Sequence, residues 1–245
     1  MKHLNFLGNK KAIFLIGAAG AGKTELALNL SVWNAANYEN PVLVDLDIVN
    51  PFFRVRKLRK EIEKKGIKVI TPIKRVVNGI LPAIPQGVWG AVSTESNTVV
   101  CDVGGGETGL RLLGRMKELA ANRKASVLFV MNPFRPDFTT PKELKASFEL
   151  ITRLSALEAT QIIINPSLSN ETSLENFNTG IAQITEFAKS INIPIGFAMA
   201  ASELASQLSP ETEFPTFFKY NGYQTFGFNR YWNNPWEFGI KTETL

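Results

Sequence analysis

Apolar residues in this chain fall into short, nearly continuous runs, separated by stretches in which they return every three or four positions. AIFLIG (12–17), PVLVDL (41–46), TVVCDV (98–103), SVLFVM (126–131), QIIIN (161–165) and PIGFAM (194–199) are runs of the first kind, and IKVI (67–70) is a weaker one. Their brevity and their β-branched content predict strands covered on both faces. Between them the period changes. Leu26, Leu30 and Trp33 recur at i, i+4 and i+7, and Leu174, Phe177, Ile181, Ile184 and Ala188 keep the same helical spacing. Thr140 followed by Pro141 supplies a cap and a first-turn proline for a helix over about 141–157. Strands alternating with helices predict an α/β fold, a doubly wound, mostly parallel β-sheet flanked by helices, with any ligand beyond the carboxyl ends of the strands.

Two regions leave this rhythm. Residues 71–97 hold Pro72, Gly79, Pro82, Pro85, Gly87 and Gly90, and predict a loop or small hairpin. Residues 212–245 are rich in Phe, Tyr, Trp and Asn without a helical period, and predict extended segments packed on the domain or an interaction surface. The expected organisation is a main domain over 1–210 and an aromatic-rich extension over 211–245 packed on it.

Composition narrows the chemistry only a little. The chain has 245 residues, 44% hydrophobic and 20% charged, which suits one folded α/β unit. A net charge of +5 fits an anionic partner, whether phosphate ligand, nucleic acid or membrane surface. One cysteine and one histidine exclude a disulfide framework within the chain and leave almost no room for a Cys/His zinc site. Cys101 lies inside an apolar strand and reads as a small core residue, and His3 lies near a terminus where no role is expected. No apolar run reaches the roughly 20 residues that span a bilayer, and MKHLNFLGNK has no signal-peptide core, so a cytoplasmic setting is expected.

Chemistry enters with 17-GAAGAGKT-24, which has the form G-x-x-x-x-G-K-[ST] between a predicted strand and a predicted helix. Glycines here let successive backbone N–H groups converge on phosphate oxygens at a helix N-terminus. Lys23 is placed to neutralise the β/γ-phosphates, and Thr24 offers a hydroxyl to Mg²⁺. The expected binding set is Gly17, Ala18, Ala19, Gly20, Ala21, Gly22, Lys23, Thr24 and Glu25. Hydrolysis also needs carboxylates, and two strand ends carry them. In TVVCDVGGG, Asp102 ends a strand where it can hold Mg²⁺, and Gly104, Gly105 and Gly106 let backbone approach the γ-phosphate. In 42-VLVDLDIVNP-51, Asp45 and Asp47 share a face of an extended strand. Asp47 is the candidate to orient an attacking water or acceptor hydroxyl, and with Thr24, Asp45 and Asp102 it belongs to the expected Mg²⁺ set. Asp45 holds Mg²⁺ or supports the loop.

GAAGAGKT, VDLDIVNP and CDVGGG together resemble the MinD/ParA/Mrp group of P-loop ATPases, which includes the cobyrinate-amidating synthetases. The resemblance covers roughly residues 11–200. It implies the P-loop NTPase fold, ATP/ADP and Mg²⁺ as ligands, catalytic roles for Lys23, Asp47 and Asp102, and a homodimer or partner complex controlled by nucleotide. One departure matters. Many members carry a lysine two places into the motif that reaches the partner's nucleotide, and this chain has Ala18 there. Arg111 or Arg115 could supply charge instead. The guanine motif N-K-x-D is absent, and Asn165 with Pro166 matches the place where members read the base, which favours ATP while leaving GTP open. A transfer enzyme, either a small-molecule kinase or an amidase/ligase, and a non-hydrolysing adaptor stay open beside the switch.

Two further segments carry charge. 54-RVRKLRKEIEKKGIK-68 has eight Lys/Arg and two Glu around a stripe of Val55, Leu58 and Ile62, and reads as a solvated face or one for nucleic acid or anionic membrane. MNPFRPDF (131–138) places Asn132, Arg135 and Asp137 near the ligand edge, for effector binding or for loop structure.

Overall fold

The structure is a computed structural model that describes residues 11–47, 55–71, 84–138, 140–168 and 171–231. His3, Arg54, Pro72, Gly79, Pro82 and the last part of the aromatic extension lie outside the described residues.

The apolar runs become parallel strands, and their alternation explains the layering. The strands are β1 (Ala12–Ile16), β2 (Pro41–Asp45), β3 (Lys68–Ile70), β4 (Thr98–Asp102), β5 (Ser126–Met131), β6 (Gln161–Ile164), β7 (Ile195–Ala201), β8 (Thr216–Tyr220) and β9 (Tyr223–Phe228). They form one sheet in the order β3-β2-β4-β1-β5-β6-β7-β9-β8. Along β1, Phe14 and Ile16 enter one core while Ile13 and Leu15 enter the other. Both faces are therefore dry, and the runs look continuous in sequence.

Helices α1 (Lys23–Asn37) and α2 (Val55–Lys64) cover the face of Ile13 and Leu15. The opposite face is covered by α3 (Gln86–Ser93), α4 (Glu107–Gly114), α5 (Lys117–Asn122), α6 (Pro141–Ser155), α7 (Leu174–Ser190) and α8 (Ser202–Leu208). Leu26, Leu30 and Trp33 are buried as their spacing predicts. On α7 the stripe holds from Phe177 to Ala188, but Leu174, in the first turn, is 43% exposed. α6 opens with the expected cap: Thr140 Oγ1 accepts from the Glu143 N–H, and the Glu143 carboxylate accepts from the Thr140 N–H. α2 buries Val55 and Ile62 and turns Arg59 and Lys60 to solvent.

The expected loop or hairpin at 71–97 needs correction, because its second half is the helix α3. Val88, Ala91 and Val92 are buried at i, i+3 and i+4, and Pro85 sits where its missing N–H costs nothing. Gly87 and Gly90, read as breakers, face open space, so tertiary burial of the other side outweighs their poor propensity.

At the far edge, β9 lies parallel to β7 and β8 returns antiparallel to it. Phe217 joins Trp33 of α1, Phe197 of β7 and Phe226 of β9, with ring centroids 5.1, 5.2 and 4.5 Å away. Replacing the fully buried Phe226 with alanine should cost about 3–5 kcal/mol of unfolding free energy. Denaturant titration checks this. A loss below about 1 kcal/mol would mean the hairpin is not integral to the core.

Candidate functional site

The chain leaves β1 at Ile16 and bends sharply, because Gly17, Gly20 and Gly22 all adopt positive φ, at 147°, 75° and 97°. A Cβ at Gly17 would collide with the Val130 carbonyl of the neighbouring β5, so only glycine fits between the two strands. α1 then begins at Lys23, and no side chain caps its first turn. Its N-terminal N–H groups remain available to an anion.

Lys23 is 6% exposed. Its ammonium donates to the carbonyls of Gly17 and Ala18 at 2.9 and 2.8 Å, closing the loop on itself. Burial pushes its pKa down to about 8, against the opposing fields of Asp102 and Asp47. Those carboxylates arrive from the adjacent strands. Asp102 ends β4, is 2% exposed, and lies in register with Leu15 of β1 and Asp45 of β2. The Leu46 N–H donates to the Asp102 carbonyl at 2.8 Å and carries the chain past β2 to Asp47. Asp45 turns its carboxylate back, and its Oδ1 accepts from the Asp47 N–H at 2.9 Å.

The loop after β4 presses on the glycine bend after β1. A Cβ at Gly105 would lie 2.5 Å from the Ala19 nitrogen, so Gly105 rests directly on the Ala18–Ala19 peptide. Gly104 approaches the Asp47 carboxylate in the same way, with Oδ1 2.8 Å from the position of its missing Cβ. The segments carrying Lys23, Asp47 and Asp102 are thus in mutual contact at one end of the sheet. Among the described residues no cluster of three acidic, histidine or cysteine side chains forms a metal cage. A site for Mg²⁺ in which one or two carboxylates and a hydroxyl are completed by phosphate and water fits this arrangement.

Asn165 follows β6 and reaches the loop from the other side. Its Nδ2 donates to the Ala21 carbonyl at 2.8 Å and rests where a Cβ on Gly22 would stand. Pro166 packs against Gly180 of α7, with 2.6 Å between its Cβ and the position a Cβ there would take. Thr24 is half-buried. Glu25 accepts from the Tyr231 N–H at 2.5 Å, and Asn29 exchanges two hydrogen bonds with the backbone of Asn229, at 2.9 and 3.0 Å. The end of β9 is thereby strapped to the first turns of α1. Nothing in the sequence signals this strap, since Asn29 and Glu25 look like ordinary helix residues. Arg111 pairs with Glu107 at 2.6 Å on the exposed side of α4, and Arg115 is exposed at its end. Cys101 is buried, and its thiol pKa is raised by that burial and by Asp102.

A glycine bend after a central parallel strand, a buried lysine opening the helix and acidic ends on neighbouring strands decide the architecture. The chain has the fold of the P-loop NTPases. No family model matches it, and no curated protein matches it in sequence. Among solved structures it is similar to the cell division protein FtsY of Thermotoga maritima, at 19% identity and TM-score 0.53, over 77% of this chain and 61% of that one. It is similar to the signal recognition particle 54 kDa protein of Aeropyrum pernix in complex with GDP, at 20% and 0.50, over 76% and 40%. It is similar to FlhF complexed with GTP and Mg²⁺, at 18% and 0.50, over 77% and 65%. At such identities the likeness shows the P-loop fold alone, and this chain spans about three-fifths of the FtsY structure.

The depressed pKa of Lys23 makes a signed prediction. Between about pH 8 and the ordinary lysine value, the unfolded chain holds a proton that the folded P-loop lacks, so unliganded stability rises with pH across that window. Between pH 8 and pH 10 the gain should be about 2 kcal/mol, and it should vanish in Lys23→Met. Denaturant unfolding of both proteins at pH 8 and pH 10 reads the difference, and parallel curves would place the ammonium in water.

Proposed function

We propose that this chain is a Mg²⁺-dependent nucleoside triphosphatase resembling the MinD/ParA class, a cytoplasmic switch that acts as a dimer or with a partner protein. The observation that carries the reading is the packing of Gly105 on Ala18–Ala19 beside the site of Lys23, Asp47 and Asp102. A loop able to sense the γ-phosphate touches the loop that would bind it. Lys23 would exchange the Gly17 and Ala18 carbonyls for phosphate oxygens, and Thr24 and Asp102 would hold the cation, with Asp45 behind them. The cation would supply Lewis-acid charge compensation to the phosphates. Asp47 accepts a hydrogen bond from the attacking water and orients it.

ATP is the proposed nucleotide, from the missing N-K-x-D motif and the amide at Asn165. The GDP and GTP held by two proteins of this fold favour guanine as the second choice. A transfer enzyme is the second reading of the activity, and one feature favours it. A cavity of about 870 Å³ adjoins Ala18, Ala19 and Gly105 and runs between α4 and α6 past Arg111, Leu150 and Arg153, with room for an acceptor.

Lys23→Ala should abolish ATP and GTP binding in calorimetry, and retained affinity sinks the assignment. Asp47→Asn should keep nucleotide affinity while phosphate release falls by about a hundredfold or more. Release without an added acceptor marks the switch. Turnover only with a metabolite marks the transfer enzyme, and binding with no turnover even with partners present marks an adaptor.

A further inference from the structure

The loop after β5 brings to the phosphate loop a cation that the motifs leave out. Were Gly20 to carry a Cβ, that atom would lie 2.7 Å from Arg135 Cζ and 2.8 and 3.0 Å from the two terminal guanidinium nitrogens. The charged head of Arg135 therefore rests on the Gly20 backbone, in the middle of 17-GAAGAGKT-24.

Its position is built. The Arg135 N–H donates to the Asn132 carbonyl at 3.2 Å, and the Arg135 carbonyl accepts from the Phe138 N–H at 2.9 Å. Phe138 is fully buried and Asn132 is 5% exposed. Asn132 holds the turn from both ends of its amide: Oδ1 accepts from the Phe134 N–H and Nδ2 donates to the Ser167 carbonyl, each at 2.9 Å. The backbone is anchored while the side chain stays open to solvent. None of the ion pairs among the described residues involves Arg135.

We propose that Arg135 is a phosphate-binding residue of the nucleotide site, supplied in cis across Gly20. The proposal rests on the nucleotide reading above and deepens it. A guanidinium stays protonated and presents a fork of donors matched to phosphate oxygens, and its contact with Gly20 sets that fork beside the loop. Arg111, the alternative cation, is already engaged by Glu107 on the exposed side of α4.

The test is titration of ribose-labelled fluorescent ADP and GDP into the wild-type chain, Lys23→Ala, Arg135→Ala and Arg135→Lys, with inorganic pyrophosphate as competitor. Arg135→Ala should weaken the preferred nucleotide by about tenfold to a hundredfold. Arg135→Lys should recover part of this, since a point charge replaces a fork. Pyrophosphate competition should weaken by the same factor in Arg135→Ala, while the melting temperature of the unliganded protein stays unchanged.

Wild-type affinity in Arg135→Ala overturns the inference and leaves the nucleotide reading standing. Loss of nucleotide affinity with unaltered pyrophosphate competition overturns it too, because Arg135 would then stack on the base. Should Arg135→Ala unfold, Arg135→Lys decides alone: a weakened pyrophosphate Ki supports the phosphate contact, and an unchanged one refutes it. No binding by the wild-type chain fails the nucleotide reading itself.

Discussion

Holding one ammonium group out of water at the end of a parallel sheet is the constraint around which this molecule is arranged. Desolvating Lys23 is costly, and its pKa near 8 records that cost. Two loop carbonyls and the fields of Asp102 and Asp47 make the burial tolerable. These partners arrive from three strand ends: the carbonyls from β1, Asp102 from β4 and Asp47 from β2. The parallel order β2-β4-β1-β5 is what brings those ends to one place, because every strand in it leaves its carboxyl terminus on the same side.

Crowding around the bend follows. Gly17 abuts Val130 of β5, Gly20 abuts Arg135, Gly22 abuts Asn165, and Gly105 rests on Ala18–Ala19. The phosphate loop is thus gripped by segments from β4, β5 and β6. Such packing pre-organises backbone N–H groups and reduces the ordering cost of binding an anion. It also couples the loop mechanically to the glycines after β4. A shift of either segment must displace the other, since no side chain intervenes to absorb the motion.

The hairpin of β8 and β9 adds a second hold. Its aromatic rings pack against Trp33, and the chain beyond β9 ties to Asn29 and Glu25. The first helix is therefore clamped at its start by the strap and further along by the rings. The burial of Tyr231 beside Glu25 raises its phenol pKa, as expected for a neutral ring closing over that turn.

Much of this was legible in sequence, where local chemistry is self-sufficient. The apolar runs gave strands because both faces are dry, and Thr140-Pro141 opened α6 because a cap and its box need only neighbouring residues. GAAGAGKT marked the bend because its spacing alone sets the backbone. Long-range choices were not legible. α3 hid behind Gly87 and Gly90, whose poor propensity is outweighed by burial of the other face. Arg135 and Asn165 were placed near the ligand edge by their strand ends, but their contacts with Gly20 and Ala21, and the place of Glu25 under the strap, came from strand order and crossover. The sequence by itself determined the buried parallel strands, the glycine bend after β1 and the acidic strand ends, because each depends on residues a few positions apart. The tertiary structure alone decided which distant side chains press on that bend, since those contacts exist only once the sheet has set its neighbours side by side.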